Sequence, residues 1–114
     1  MCLLIFSCGV DPRYPLVLAA NRDEFHARPT EAAGFWPEHP DVLAGRDLEQ
    51  GGTWMGLTRK GRFAAITNCR DPARTAPAPR SRGELPLNFL TGGDDPQTYL
   101  HKLQATAHQY AGFN

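Results

Sequence analysis

The 114-residue chain is long enough for one domain with one modest core. With 41% hydrophobic and 21% charged residues it is not a solvated disordered chain, and twelve Lys+Arg against twelve Asp+Glu leave a formal net charge of +0, without the basic footprint of a nucleic-acid binder. The longest apolar run, Met1 to Phe6, follows no basic segment and falls far short of a bilayer span, so no membrane span and a cytoplasmic location are expected.

Eleven glycines and ten prolines punctuate short apolar runs, the grammar of strands and turns. The runs Cys2 to Cys8 and Leu16 to Ala20, joined through Pro12 and Pro15, predict a β-hairpin buried on both faces. From Asn21 to Pro40 the chain is polar and broken by Pro29, Pro37 and Pro40, which predicts a long surface loop with aromatic anchors. A second hairpin is predicted from Thr53 to Thr58 and Arg62 to Asn68, apolar on both faces, with Gly51-Gly52 leading in. Residues 70–80, rich in proline, read as an exposed connection. Ser81 and Glu84 have capping-box spacing ahead of a helix shortened or kinked by Pro86. Asp95-Pro96 then opens a helix predicted over 96–110, where Tyr99, Leu100, Leu103, Ala107 and Tyr110 recur at helical steps.

Strands followed by helices predict an α+β fold, a sheet covered by helices on one face. Two helices supply one layer, yet both hairpins read as apolar on two faces. The missing cover comes either from another copy of this chain, making a homo-oligomer, or from polypeptide beyond these 114 residues.

Cys2 carries the most chemical information. Removal of Met1, which a small second residue permits, leaves a cysteine with a free α-amine, a group whose ordinary pKa of about 7.7–8.0 suits it to accept the thiol proton. The plainer reading is a cysteine that starts a buried strand. Asn21-Arg22-Asp23-Glu24 leave the partner strand of the same hairpin, so antiparallel pairing brings them beside Cys2. A carboxylate there suits an ammonium and a guanidinium suits an anionic substrate group, while a solvated strand end explains the same residues without chemistry. Asn68, at the end of the fourth predicted strand, offers an amide to an oxyanion or simply ends the strand. Cys8 and Cys69 read as reduced structural thiols. The four histidines lack metal-ligand spacing and no phosphate-binding glycine loop is present, so neither metal nor cofactor is expected. Arg70, Arg74, Arg80 and Arg82 read as an exposed basic linker.

Met1-Cys2, Leu18 to Glu24, Gly51 to Gly56, Gly61 to Asn68, Ser81 to Leu85 and Tyr110 to Asn114, in this order, resemble the NRDE-motif proteins, also called the transport-and-Golgi-organisation family. Members are about twice as long, which implies that residues 1–114 form one NRDE-type domain, the N-terminal half of such a protein. The family is similar to N-terminal-nucleophile hydrolases of the cholylglycine hydrolase and penicillin V acylase kind. That likeness implies half of an αββα sandwich, with Cys2 as nucleophile, Asp23 holding its α-amine and Asn68 as oxyanion donor. Asn21, Arg22 and Trp54 are assigned to substrate binding; Ala20 stands where those hydrolases carry an arginine. The implied activity is hydrolysis of an amide or thioester of a small acylated molecule. The alternative is a non-catalytic lipid, acyl-CoA or haem carrier, holding its cargo against the strands and the aromatic residues Phe25, Phe35 and Trp36. Leu3 after Cys2, in place of proline, speaks against haem ligation.

Overall fold

A computed structural model describes residues 2–69, 72 and 76–114; most of the Arg70–Thr75 stretch, including Arg70 and Arg74, lies outside the described residues. The fold is α+β, the described residues forming two antiparallel sheets followed by two helices.

Strands β1 (Leu3–Asp11) and β2 (Tyr14–Asn21) form the expected first hairpin. Its turn is held by Asp11, whose carboxylate accepts from the Arg13 backbone N–H at 2.9 Å, and Gly9 takes a left-handed φ of 68° where the register slips. Burial on both faces is not what the chain achieves. Leu3 and Ile5 on one face and Phe6 on the other are 56%, 60% and 64% exposed. Among the described residues no layer covers the outer face, and the inner face looks onto an open cleft.

Where a long loop was expected, β3 (Thr30–Trp36) and β4 (His39–Asp47) form a second hairpin. The prolines that argued against strands occupy places needing no ladder N–H. Pro29 precedes β3, Pro37 lies in the two-residue turn, and Pro40 falls where the register shifts between Trp36↔His39 and Phe35↔Leu43. Strands β5 (Met55–Thr58) and β6 (Phe63–Ala65) complete the four-stranded sheet β3-β4-β5-β6. The last strand is shorter than predicted because the chain turns away after Ala65, the Ile66 N–H donating to Trp54 O and residues 67 and 69 pairing instead with the C-terminal segment.

Helix α1 (Glu84–Thr91) packs on β4, β5 and β6, enclosing Trp36, Val42, Ala44 and Leu90. Pro86 sits in its first turn, where its missing N–H costs nothing. Arg62 closes the other end, donating to Phe89 O at 3.0 and 2.7 Å and to Asp94 O at 2.7 Å. Leu57 is 47% exposed, so the second predicted hairpin is not apolar-buried on both sides.

The capping box does not form. Ser81 Oγ accepts from Gly83 N–H at 3.2 Å, and the Glu84 carboxylate turns away to pair with Arg80 and accept from the Tyr110 hydroxyl. Helix α2 (Pro96–Gln104) begins as expected, Asp95 accepting from Gln97 and Thr98 N–H at 3.0 and 3.1 Å, but ends six residues early. Tyr110 leaves the helical path to bridge Arg80 and reach Glu84, after a short 3₁₀ turn over Ala107–Gln109.

Burial and the hydrogen bond to Glu84 push the Tyr110 phenol up to about 12. An unfolded tyrosine ionises near 10, so the stabilisation is complete below that pH and is lost as pH rises through about 12. Chemical denaturation between pH ~9 and ~12 should show this loss, worth about 2 kcal/mol, and Tyr110→Phe should flatten it.

Candidate active site

The pairing Leu3↔Asn21 sets the open end of the first hairpin. Cys2 precedes β1 and Arg22, Asp23 and Glu24 follow β2, so the register alone places them together. Asn21 ties the end: its Oδ1 accepts from Leu3 N–H at 3.0 Å, and its Nδ2 donates to Asp23 Oδ1 at 2.9 Å. One amide thus fixes the strand end and orients the carboxylate beside it.

A small polar cavity of about 120 Å³ lies there. Cys2, Asn21, Arg22, Asp23, Trp54 and Asn68, the six residues singled out from sequence, all line it. They arrive from three separate segments: the hairpin end, the β4–β5 connection and the stretch after β6. Asn68 reaches it through an antiparallel bridge to Phe113 rather than as the last residue of a strand. Cys2 is half-buried, whereas Cys8 and Cys69 are exposed.

The charged side chains around the cavity are differently engaged. Arg22 lies over the Trp54 ring at 4.2 Å and reaches Glu24 at 3.3 Å. Trp54 is seated against Gly45, where a Cβ would come within 2.5 Å of the ring. Arg28 donates to Asp47 Oδ2 through Nε and Nη2 at 3.1 and 2.7 Å. Burial works against the Asp47 charge, but the Arg28 bonds and the N–H groups of Glu49 and Gln50 outweigh it and hold the carboxyl below its ordinary value. The bond to Asp47 correspondingly raises Arg28.

Arg82 was not legible as a site residue. It lines the cavity, half-buried, with Nη1 donating to Gly112 O at 2.8 Å, so it is no exposed linker. Burial lowers its pKa from the ordinary arginine value, against the opposing influence of Glu24 and Cys2. The signal that could have found it is Gly52: the start of α1 runs so close to it that a Cβ there would lie 2.3 Å from the Gly83 carbonyl carbon, and Ser81, Arg82 and Gly83 line the cavity beside it.

Beyond Cys2 the cavity adjoins a larger apolar cleft of about 590 Å³. The inner face of the first hairpin, through Leu4, Phe6 and Leu16, looks across it at Phe63, Phe89, Tyr99 and Leu103. Leu4, Ala65, Ile66 and Thr67 line both spaces. The aromatic residues expected to hold a cargo are elsewhere. Phe25 is 84% exposed, Phe35 lies under Arg59 and Trp36 is part of the core, because the segment that carries the last two folds as a hairpin.

No helix among the described residues is long and apolar enough to cross a membrane. The family model described as Transport and Golgi organisation 2 matches residues 1–114. The chain is 46% identical over 123 aligned positions to a Transport and Golgi organization protein 2 homolog of Bos taurus and 44% identical to that of Homo sapiens. The Drosophila melanogaster Transport and Golgi organization protein 2 is 33% identical. In each case all of this chain is aligned with 44% of the relative, so the chain spans a little under half the length of these relatives.

Proposed function

The chain belongs to the Transport and Golgi organisation 2 family, and from that premise we propose that it acts as an N-terminal-nucleophile cysteine hydrolase on an amide or thioester of a small acylated molecule. The observation that carries this reading is the meeting of Cys2, the Asn21-bound Asp23 and Asn68 in one cavity that adjoins an apolar cleft.

After cytoplasmic removal of Met1, the α-amine of Cys2 takes the thiol proton and the sulfur attacks the substrate carbonyl. Asp23, held by Asn21, steadies the ammonium, and the Asn68 amide with nearby backbone N–H groups receives the charge on the oxygen. The carbon–nitrogen or carbon–sulfur bond breaks as the ammonium returns its proton to the leaving group, leaving a thioester on Cys2. Water, deprotonated by the same amine, then attacks the thioester and releases the carboxylic acid and the thiol. Leu4 and Ile66, shared by the two spaces, mark where the acyl chain passes from the sulfur into the cleft. Asn21, Arg22 and Trp54 supply the polar and aromatic wall for the rest of the substrate.

Intact mass and an acyl p-nitrophenyl ester test this. The expected result is a chain lacking Met1 that acquires the acyl group on Cys2, with labelling lost in Cys2→Ser and kept in Cys8→Ser. Retained Met1, or equal labelling of Cys2→Ser, overturns it. The size of the apolar cleft favours a second reading, a carrier of acyl chains without turnover. Unlabelled protein that copurifies with an acyl ligand selects that reading.

A further inference from the structure

We propose that Arg82 is the anion-recognising residue of the Cys2 cavity and holds a carboxylate-sized anionic group of the substrate beside the sulfur. The proposal deepens the hydrolase reading and rests on it for the identity of the ligand as a substrate. It is carried by the different engagement of three arginines around one small space.

Arg28 is fully employed, its fork on Asp47 at 2.7 and 3.1 Å with Glu49 and Glu24 at 3.4 and 3.8 Å. Arg22 has its face on the Trp54 ring and its edge at Glu24. Arg82 has one bond, to the Gly112 carbonyl at 2.8 Å, and among the described residues no carboxylate comes within ion-pair distance of it. A guanidinium carries five donors in a planar fork suited to two oxygens of one anion. One backbone carbonyl leaves most of that fork open. Among the described residues Glu24 acts on this half-buried cation only from beyond ion-pair distance, so an anion seated on the open donors completes the site. The cavity's 120 Å³ suits a group of a few atoms, and Gly112 O holds the guanidinium in place from behind.

Iodoacetate and iodoacetamide differ by this charge and little else, and both alkylate a thiol with loss of iodide. The full chain is treated with each, and alkylation at Cys2 is followed by peptide mass spectrometry, with the exposed Cys8 and Cys69 as references. The expected result is that Arg82→Gln lowers the iodoacetate-to-iodoacetamide rate ratio at Cys2 about tenfold relative to Cys69, while the iodoacetamide rate stays within about twofold. Arg82→Lys, which keeps the charge, retains most of the ratio. An unchanged ratio in Arg82→Gln overturns the proposal, as does equal slowing by both reagents, which makes Arg82 a brace for Gly112 only. Should Arg82→Gln fail to fold, wild-type protein decides: acetate protects Cys2 from iodoacetamide and acetamide does not, and absence of that difference overturns the proposal. Alkylation needs no turnover. A failed hydrolase test with an intact charge preference therefore rejects the proposed reaction and leaves the anion site standing.

Discussion

Gly52→Ala is expected to destabilise the chain by about 3 kcal/mol, while Gly83→Ala shifts stability by less than about 0.5 kcal/mol in either direction. The two glycines face each other where the β4–β5 connection meets the start of α1, and the contact is backbone on backbone. A Cβ on Gly52 would lie 2.3 Å from the Gly83 carbonyl carbon and 2.4 Å from its oxygen. No rotamer relieves that overlap, so one chain segment must move. The movement breaks the bond from Thr53 N–H to Gly83 O, now 3.0 Å, and strains the one from Asp47 N–H to Gly52 O at 2.9 Å. A Cβ on Gly83 instead points into ordinary contact, with its nearest atoms at 3.4 Å, and Gly83 has a helical φ of −62° that alanine adopts freely. Urea titration of the two variants measures the asymmetry. Equal losses would show that the contact is not one-sided. The displacement also reaches the site, because Thr53, Trp54 and Arg82 flank this crossing; faster iodoacetamide alkylation of Cys2 in Gly52→Ala is the matching readout.

Much of the site was legible because strand pairing is a local rule with a long reach. Once Cys2–Cys8 and Leu16–Ala20 read as antiparallel partners, the proximity of Cys2 to Asn21–Glu24 follows from register alone, and Leu3↔Asn21 realises it. The helix start at Asp95-Pro96 was legible for the same reason: a cap is a bond between neighbours. What failed depends on contacts between distant segments. Glu84 has the spacing to cap its own helix, but Arg80 and Tyr110 offer it a cation and a phenol, and Tyr110 is drawn out of the helical pattern to do so. The β3–β4 hairpin was hidden by prolines that mark a loop in most contexts and here sit at a strand entry, a turn and a register shift. The burial of Arg82 follows from the Gly52–Gly83 crossing, which no periodicity announces. Apolar alternation predicts which residues avoid water; it does not say whether the chain itself supplies the opposing layer, and over the outer face of the first hairpin the described residues do not.

Asp47→Ala is expected to cost about 3 kcal/mol, and Asp47→Asn about half as much. Asp47 ends β4 at 9% exposure and organises everything that follows. One carboxylate oxygen receives the Arg28 fork; the other accepts from Glu49 and Gln50 N–H at 3.0 and 3.4 Å, closing the turn that leads to Gly51 and Gly52. Gly51, with φ of 79°, returns its own N–H to Asp47 O at 2.8 Å. Alanine leaves two N–H groups and a half-buried guanidinium without their acceptor, and Glu24 at 3.8 Å and Glu49 at 3.4 Å from Arg28 are poor replacements. Asparagine keeps an acceptor for the turn and loses the ionic part together with the bonds from Arg28, because its amide nitrogen cannot accept. The pH dependence separates these contributions. Because Arg28 holds the folded carboxyl below its ordinary value, the ionic contribution is complete above the unfolded aspartate pKa of about 3.9 and disappears as pH falls through the lower folded value. Denaturation midpoints of wild type and Asp47→Asn should therefore converge on acidification below pH ~4. A constant gap between the two curves down to pH ~2 would mean that the pair contributes shape rather than charge.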